Sequence, residues 1–286
     1  PEFHRYFLAA DYSSGLLINI GADADLFLQI DVSYFGEGDR LIFARNVTDI
    51  TRMEQMRRDF VGNVSHELRT PLTVISGYLD TMLDHADGID ARFIKPLKQM
   101  SEQSERMESL LKDLLWLSRI ESVRNIEKHE PVSIRGILEE LREELSSTHS
   151  RCPIYLEIES DVQVLGDYRE LHSAVSNLIL NAIKYSDEGS IVTCQWSRQD
   201  QRCTLSIIDT GQGIAATHLP RLTERFYRVD DSRSSATGGT GLGLAIVKHV
   251  AVAHSAQLNI ESVQGVGSNF SLIFPPEVLY EGEAKN

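Results

Sequence analysis

Within Ser65-His-Glu-Leu-Arg-Thr-Pro71 an imidazole, a carboxylate and a hydroxyl fall close together on what reads as a helix. A neutral imidazole is a competent nucleophile near neutral pH and needs only a group that orients it and takes up the displaced proton. Glu67, beside His66, is a carboxylate able to do this. Thr70 lies one turn beyond His66 on the same face. Pro71 removes a backbone hydrogen bond to the carbonyl of Glu67 and is expected to bend the helix locally, at a cost of about 3 kcal/mol. A single helical histidine is more often a solvated or core residue; the three neighbours are what single out His66. Metal ligation by His66 is not expected, because no second His or Cys stands at ligand spacing nearby.

A second set of residues suits a nucleotide. Asn177 and Asn181 are spaced i, i+4, so their amides share a helix face, and amide oxygens suit Mg²⁺ alongside phosphate oxygens. Lys184 and Tyr185 follow on the same helix, available to a phosphate and to a base or ribose. Asp209 ends the apolar run Thr204-Leu-Ser-Ile-Ile208, where a carboxylate can accept a hydrogen bond from an exocyclic amine such as that of adenine. Glycine clusters occur at Asp209-Thr-Gly-Gln-Gly-Ile214, Gly238-Gly-Thr-Gly-Leu-Gly-Leu244 and Gly265-Val-Gly-Ser268. Gly239-Thr-Gly-Leu-Gly243 runs into the apolar segment Leu244–Lys248, where backbone N–H groups at a helix start could hold phosphate. It is neither a Walker A loop nor a Rossmann fingerprint. Any one of these features is weak alone; an asparagine pair often merely caps or crosses a surface.

The elements that must position these groups change character along the chain. Residues 1–50 read as strands, at 15–20, 26–32 and 40–45, separated by Gly/Asp-rich turns such as Gly36–Asp39. Three strands are few for a stable domain, which suggests the second half of one. From about Asp49 to His85 apolar residues recur at helical spacing, and 85–90 reads as a turn. A second long helix carries a heptad seam through Phe93, Leu97, Met100, Ser104, Met107, Leu111, Leu114 and Ser118, widened by Leu110, Leu115 and Leu117. Two such helices are best buried in a dimeric four-helix bundle, with a monomeric hairpin packed on its neighbours as the alternative. After Glu127–Pro131, helices near 133–149, 167–186 and 241–254 and strands near 154–159, 190–197, 202–209, 257–262 and 268–274 indicate a separate α/β sandwich. The acidic tail at 281–286 is expected to be disordered.

Composition narrows the class. With 42 acidic against 28 basic residues the net charge is −14, which argues against nucleic acid as a direct partner. Cys152, Cys194 and Cys203 form no C-x-x-C pair and read as small buried thiols of a reducing compartment. No apolar run is long enough to span a bilayer, so no membrane contact is expected of this stretch. The chain begins at Pro1 inside what reads as structured sequence, so it is expected to be a fragment of a longer protein.

Taken in order, these motifs resemble the sensor histidine kinases of two-component systems. Ser65–Pro71 is similar to their H-box, Asn177–Tyr185 to the N-box, Asp209–Gly213 to the G1 box, Glu224-Arg-Phe-Tyr-Arg228 to the F-box and Gly239–Gly243 to the G2 box. The resemblance covers roughly residues 50–275. It implies a multidomain α+β fold: a PAS-like β segment over 1–48, a dimeric antiparallel four-helix bundle built from a phosphotransfer hairpin over 49–125, an α/β sandwich ATP-binding domain of the Bergerat (GHKL) type over 126–278, and a disordered tail over 279–286. It further implies ATP and Mg²⁺ as cofactors, with His66 as phosphoacceptor, Glu67 as its general base and Thr70 positioning water when a partner is dephosphorylated. Asn177 and Asn181 would hold Mg²⁺, Lys184 and Tyr185 would touch the nucleotide, and Asp209 would read adenine. Gly211, Gly213, Arg228 (for the γ-phosphate), Gly239, Gly241, Leu242 and Gly243 would line the site, under a mobile lid over 215–238. Arg45–Thr51 resembles the end of a PAS domain feeding a signalling helix, while Met56–His66 and Gly77-Tyr-Leu-Asp80 are similar to the phosphate-regulon branch of the family, which implies a PhoB-like response regulator as partner. The chain would then be the cytoplasmic portion of a bacterial inner-membrane protein acting as a homodimer through the hairpin. Two other readings stay open: a non-catalytic scaffold whose conformation is set by nucleotide, and an ATPase of the gyrase or chaperone group, against which the intact H-box speaks.

Overall fold

The computed structural model describes residues 2–9, 12, 15–20, 26–36, 39–85, 89–120, 129–148, 152–229 and 239–282. The turn core at 86–88, the segment 121–128 around the hairpin's end, the lid's second half at 230–238 and the last four residues lie outside the described residues. The chain separates into two compact units, 1–63 and 64–286.

In the first unit a short helix α1 (Glu2–Ala9) precedes an antiparallel meander of β1 (Leu16–Ile20), β2 (Leu26–Phe35) and β3 (Asp39–Asn46), in the order β1-β2-β3. The three expected strands form, but the expectation that all of 1–50 is strand is corrected by α1. Its apolar residues Phe3, Tyr6 and Phe7 recur at helical spacing. Ile30 and Val32 on the central strand are the buried apolar residues of this sheet. Thr48 closes the sheet onto the start of α2 (Thr48–Asp84): its Oγ1 accepts the Phe27 N–H at 2.9 Å, and its own N–H donates to Asn46 Oδ1 at 3.0 Å.

In the second unit, α2 from Val64 onward and α3 (Ala91–Ile120) form the helical hairpin. Ser65, Leu72 and Leu79 are buried on α2 at seven-residue spacing, and Ser104 is buried on α3. Ser76 Oγ lies 2.8 Å from Ser104 Oγ, tying the helices at mid-length. α2 runs unbroken through Pro71, and α3 through Pro96.

The remaining elements build a two-layer α/β sandwich. A five-stranded sheet has the order β5 (Ile154–Ile158), β7 (Val192–Gln199), β8 (Arg202–Asp209), β10 (Gly267–Phe274), β9 (Gln257–Val263), with β5·β7 parallel and the other pairs antiparallel. Alternate residues of its central strands, such as Val192, Cys194 and Trp196 on β7 and Leu205 and Ile207 on β8, are buried. They pack with the apolar faces of α4 (Ile134–Thr148), α5 (Tyr168–Lys184) and α6 (Gly243–Ala253). Leu117 and Ile120 at the end of α3 belong to the same core. The three cysteines are free and buried, and burial pushes the Cys194 thiol up to about 12, so these are packing residues.

A second, three-stranded sheet of order β11 (Leu279–Tyr280), β6 (Gln163–Gly166), β4 (Glu130–Val132) stands apart from the first. It corrects the reading of 279–286 as wholly disordered: Leu279 pairs with Val164, and Glu281 forms an ion pair with Arg198 at 2.5 Å. Among the described residues no helix is long and apolar enough to cross a membrane.

His254, just past α6, joins two helices of this layer. It is 1% exposed. Its Nδ1 lies 2.9 Å from the Val250 carbonyl, and its Nε2 accepts the Asp167 N–H at 3.1 Å. Both bonds together require a neutral ring protonated on Nδ1. Asp167 in turn caps α5, accepting the N–H groups of Arg169 and Glu170. Burial, aided by the stacked His129, holds His254 below its ordinary pKa. The folded state therefore binds fewer protons, and this stabilisation, complete above the unfolded value of about 6.5, is lost as pH falls through the folded value. Glu170, pushed up to about 6 by burial and then by Asp167, acts in the opposite sense. We expect His254→Gln, which keeps Glu170, to lose less urea stability than the wild type, or to gain more, as pH falls from about 7.5 to about 5.5.

Candidate functional site

α5 has two faces. Leu171, Ala174, Val175, Leu178, Ile179 and Ala182 are buried against the sheet, which turns Asn177, Asn181 and Lys184 the other way. The Asn177 Nδ2 donates to the Ser173 carbonyl at 2.8 Å, one turn back on its own helix. That bond leaves Oδ1 as the outward atom. It faces the first residue of α6: a Cβ on Gly243 would stand 2.6 Å from Asn177 Oδ1 and 3.8 Å from Asn181 Nδ2. Glycine at 243 is what lets the α6 N-terminus meet the asparagine pair. The donor set, amide oxygens beside a helix N-terminus, suits a Mg²⁺ that shares phosphate oxygens. Among the described residues no group of three His, Cys, Asp or Glu side chains is placed to hold a metal ion.

The loop before α6 is held from both sides. A side chain on Gly239 would collide with Lys184 Nζ, and the Gly239 carbonyl accepts a hydrogen bond from Arg228 Nη1 at 2.7 Å. Gly241, at φ +73°, has its carbonyl bonded to the Phe226 N–H at 2.9 Å. Phe226 itself takes φ +63°, so both partners are left-handed where the chains cross. Leu242 is fully buried at the α6 N-cap. Thr240 Oγ1 donates to Asp113 Oδ2 on α3 at 2.7 Å and accepts the Leu242 N–H at 3.2 Å. Thr240 and Asp113 did not emerge from the sequence, because neither stands in a spacing that signals chemistry.

Burial, then Arg228, then Arg106 lower the Lys184 ammonium to about 8. Its Nζ lies 5.4 Å from the Tyr185 ring centre, and Tyr185 caps α5. Asp209 is buried at the end of β8; burial raises its pKa, against hydrogen bonds from the Gly211 N–H and from Ser268. Gly211 sits where a side chain would meet the Tyr185 carbonyl at 2.5 Å. The expected site residues of the α/β layer thus gather around the ends of α5, β8 and α6.

His66, Glu67 and Thr70 are exposed on α2, beside the buried Ser65. Among the described residues, no hydrogen bond joins them to the second set.

Gly213 holds a turn. It has φ +62°, and a Cβ there would run into the Val263 carbonyl at the end of β9. Gly213→Ala combines left-handed strain with a backbone clash, so it is expected to cost about 2–4 kcal/mol of stability. Denaturant unfolding of the variant beside wild type checks this.

Comparison with known proteins places these two groups of residues in two domains. Residues 56–123 match the family described as "His Kinase A (phospho-acceptor) domain", and residues 166–278 the family described as "Histidine kinase-, DNA gyrase B-, and HSP90-like ATPase". The chain is 45% identical over 287 aligned residues to the phosphate regulon sensor protein PhoR of Pseudomonas aeruginosa, covering 100% of this chain and 65% of the relative. It is 41% identical to the PhoR of Haemophilus influenzae over 82% of this chain and 55% of the relative. The chain therefore spans somewhat over half the length of these curated relatives. Among solved structures, full-length ShkA in complex with AMPPNP superposes with a TM-score of 0.61 at 27% identity, over 76% of this chain and 45% of that one. A phospho-acceptor domain followed by a kinase-type ATPase domain, together with 45% identity to one PhoR protein along the whole of this chain, makes the chain a member of the sensor histidine kinases of two-component systems.

Proposed function

We propose that this chain is the kinase portion of a phosphate-regulon sensor that phosphorylates its own His66 from ATP and passes the phosphoryl group to a response regulator. The observation that carries the reading is that His66 is exposed on α2 within the phospho-acceptor span, while Asn177, Asn181, Lys184 and Asp209 converge in the ATPase span.

In the proposed reaction a ring nitrogen of His66 attacks the γ-phosphorus. An N–P bond forms, the bridging P–O bond breaks and ADP departs. Glu67 takes the ring proton. Asn177 and Asn181 would hold the Mg²⁺, which supplies charge neutralisation at the phosphates. Lys184 and Arg228 face the same phosphates, and Asp209 accepts the adenine amino group. Gly211 and Gly213 shape the base end, and Gly239, Gly241, Leu242 and Gly243 the phosphate end. Thr70 positions water when the phosphorylated regulator is hydrolysed.

A homodimer through the hairpin is part of the proposal. Leu68, Ile75 and Met82 on α2 and Phe93, Met100 and Met107 on α3 repeat every seven residues and each stay about half exposed in one chain. Two parallel apolar seams left uncovered favour a second copy in a four-helix bundle. The division into a PAS-like segment over 1–48, a hairpin over 49–125 and an ATP-binding domain over 126–278, a PhoB-like regulator as acceptor, and residence on the cytoplasmic side of an inner-membrane protein belong to the same reading. The similarity to PhoR proteins supports them.

Incubation with γ-labelled ATP and Mg²⁺ tests the central step. Acid-labile, base-stable label is expected on wild type and none on His66→Ala, whose ATP affinity stays unchanged. Label of equal amount on His66→Ala would move the phosphoacceptor elsewhere, and bound ATP without label on wild type would favour the scaffold. Thr70→Ala is expected to autophosphorylate normally and to dephosphorylate the regulator at least about tenfold more slowly; unchanged dephosphorylation would remove Thr70 from that role.

A further inference from the structure

α3 presents a stripe to the ATPase layer. Arg106, Leu110, Asp113 and Leu117 follow steps of four, three and four, so they share one helix face. Leu117 is fully buried in the sandwich core and Leu110 packs against it. Asp113 accepts the Thr240 hydroxyl from the glycine loop. Arg106 stands one turn before Leu110 on this stripe. Its Nε is buried and has no hydrogen-bond partner. Its charge reaches the nucleotide site: after burial and Arg228, Arg106 is the third cause that lowers the Lys184 ammonium.

Two cations hold the loop, and a third acts on one of them. Lys184 of α5 abuts Gly239, Arg228 donates to its carbonyl, and the charge of Arg106 on α3 is felt by Lys184. Like charges disfavour one another, and a buried donor without a partner costs about 1–3 kcal/mol. A polyanion relieves both. A guanidinium offers a planar fork of donors that suits phosphate oxygens.

We propose that Arg106 is a phosphate-binding residue of the nucleotide site, so that the hairpin completes the pocket from outside the ATPase layer. The inference rests on the nucleotide reading above and adds a ligand contact from α3. The Thr240–Asp113 bond ties the loop to the same face of α3 that carries Arg106, two turns away. Arg106 then senses bound nucleotide directly, and the phosphates bridge the hairpin to the domain that carries them.

Equilibrium binding of ATP, ADP and adenosine to the whole chain, at fixed Mg²⁺, tests this with wild type, Arg106→Gln and Arg106→Lys. Arg106→Gln is expected to bind ATP about tenfold more weakly and adenosine as wild type does. Arg106→Lys is expected to recover most of the loss. Because one cation is gone, Lys184 in Arg106→Gln keeps its proton to higher pH, and the pH at which ATP affinity declines moves up. Wild-type ATP affinity in Arg106→Gln would overturn the inference and leave the nucleotide reading standing. Equal weakening of ATP and adenosine would also overturn it, by showing a structural role. A wild type that binds no ATP would bring down the nucleotide reading and this inference with it.

Discussion

The packing of α5 against the sheet and beside the start of α6 is the constraint on which the candidate nucleotide site depends. Helical periodicity leaves no freedom once Leu171, Val175, Leu178 and Ile179 are buried against Trp196, Leu205 and Ile207. Asn177, Asn181 and Lys184 must then face the opposite way. The start of α6 approaches those amides so closely that any side chain at 243 would press on the Asn177 amide oxygen. The same contacts that stabilise the sandwich therefore aim the polar groups.

The hairpin works under a different constraint. Its two long helices carry more apolar stripes than one helix pair can bury. One stripe, through Ser65, Leu72 and Leu79 on α2 and Ser104 on α3, is closed within the chain. The end of α3 is consumed by the sandwich core through Leu117 and Ile120. What is left over is apolar and in heptad register. α3 thus serves both the hairpin and the ATPase layer, and its leftover seam is the one the proposed dimer would cover.

The electrostatics of the site are unbalanced in the protein alone. Lys184 is depressed to about 8, in part by neighbouring cations, and buried Asp209 is raised. In the proposed function a nucleotide would offer an anion to the first group and an amine to the second. Such a site gains from its ligand by relief of cost as well as by new contacts. His254 shows the contrasting case: its two ring nitrogens are both satisfied by backbone, and its depressed pKa serves the joint between α6 and α5.

Much of this was legible in the residues. Periodicity located α2, α3, α4, α5, α6 and the five long strands of the main sheet to within a few residues, because each is long enough to repeat its pattern. The clusters at His66, Asn177–Asn181, Asp209 and the glycine loop were visible as residue types at fixed spacings, since local geometry on a helix or in a turn follows from sequence distance alone. The strands β4, β6 and β11 were not, because two to four residues carry no period, and they exist only by pairing with segments far along the chain. α1 was missed because a single apolar turn beside three strands reads either way. Tertiary structure alone decided that Thr240 meets Asp113 across 127 residues, that Lys184 abuts Gly239, and that the charge of Arg106 acts on Lys184. Sequence sets which face a side chain leaves its own helix on; what stands opposite that face is set by how the helices and sheet pack together.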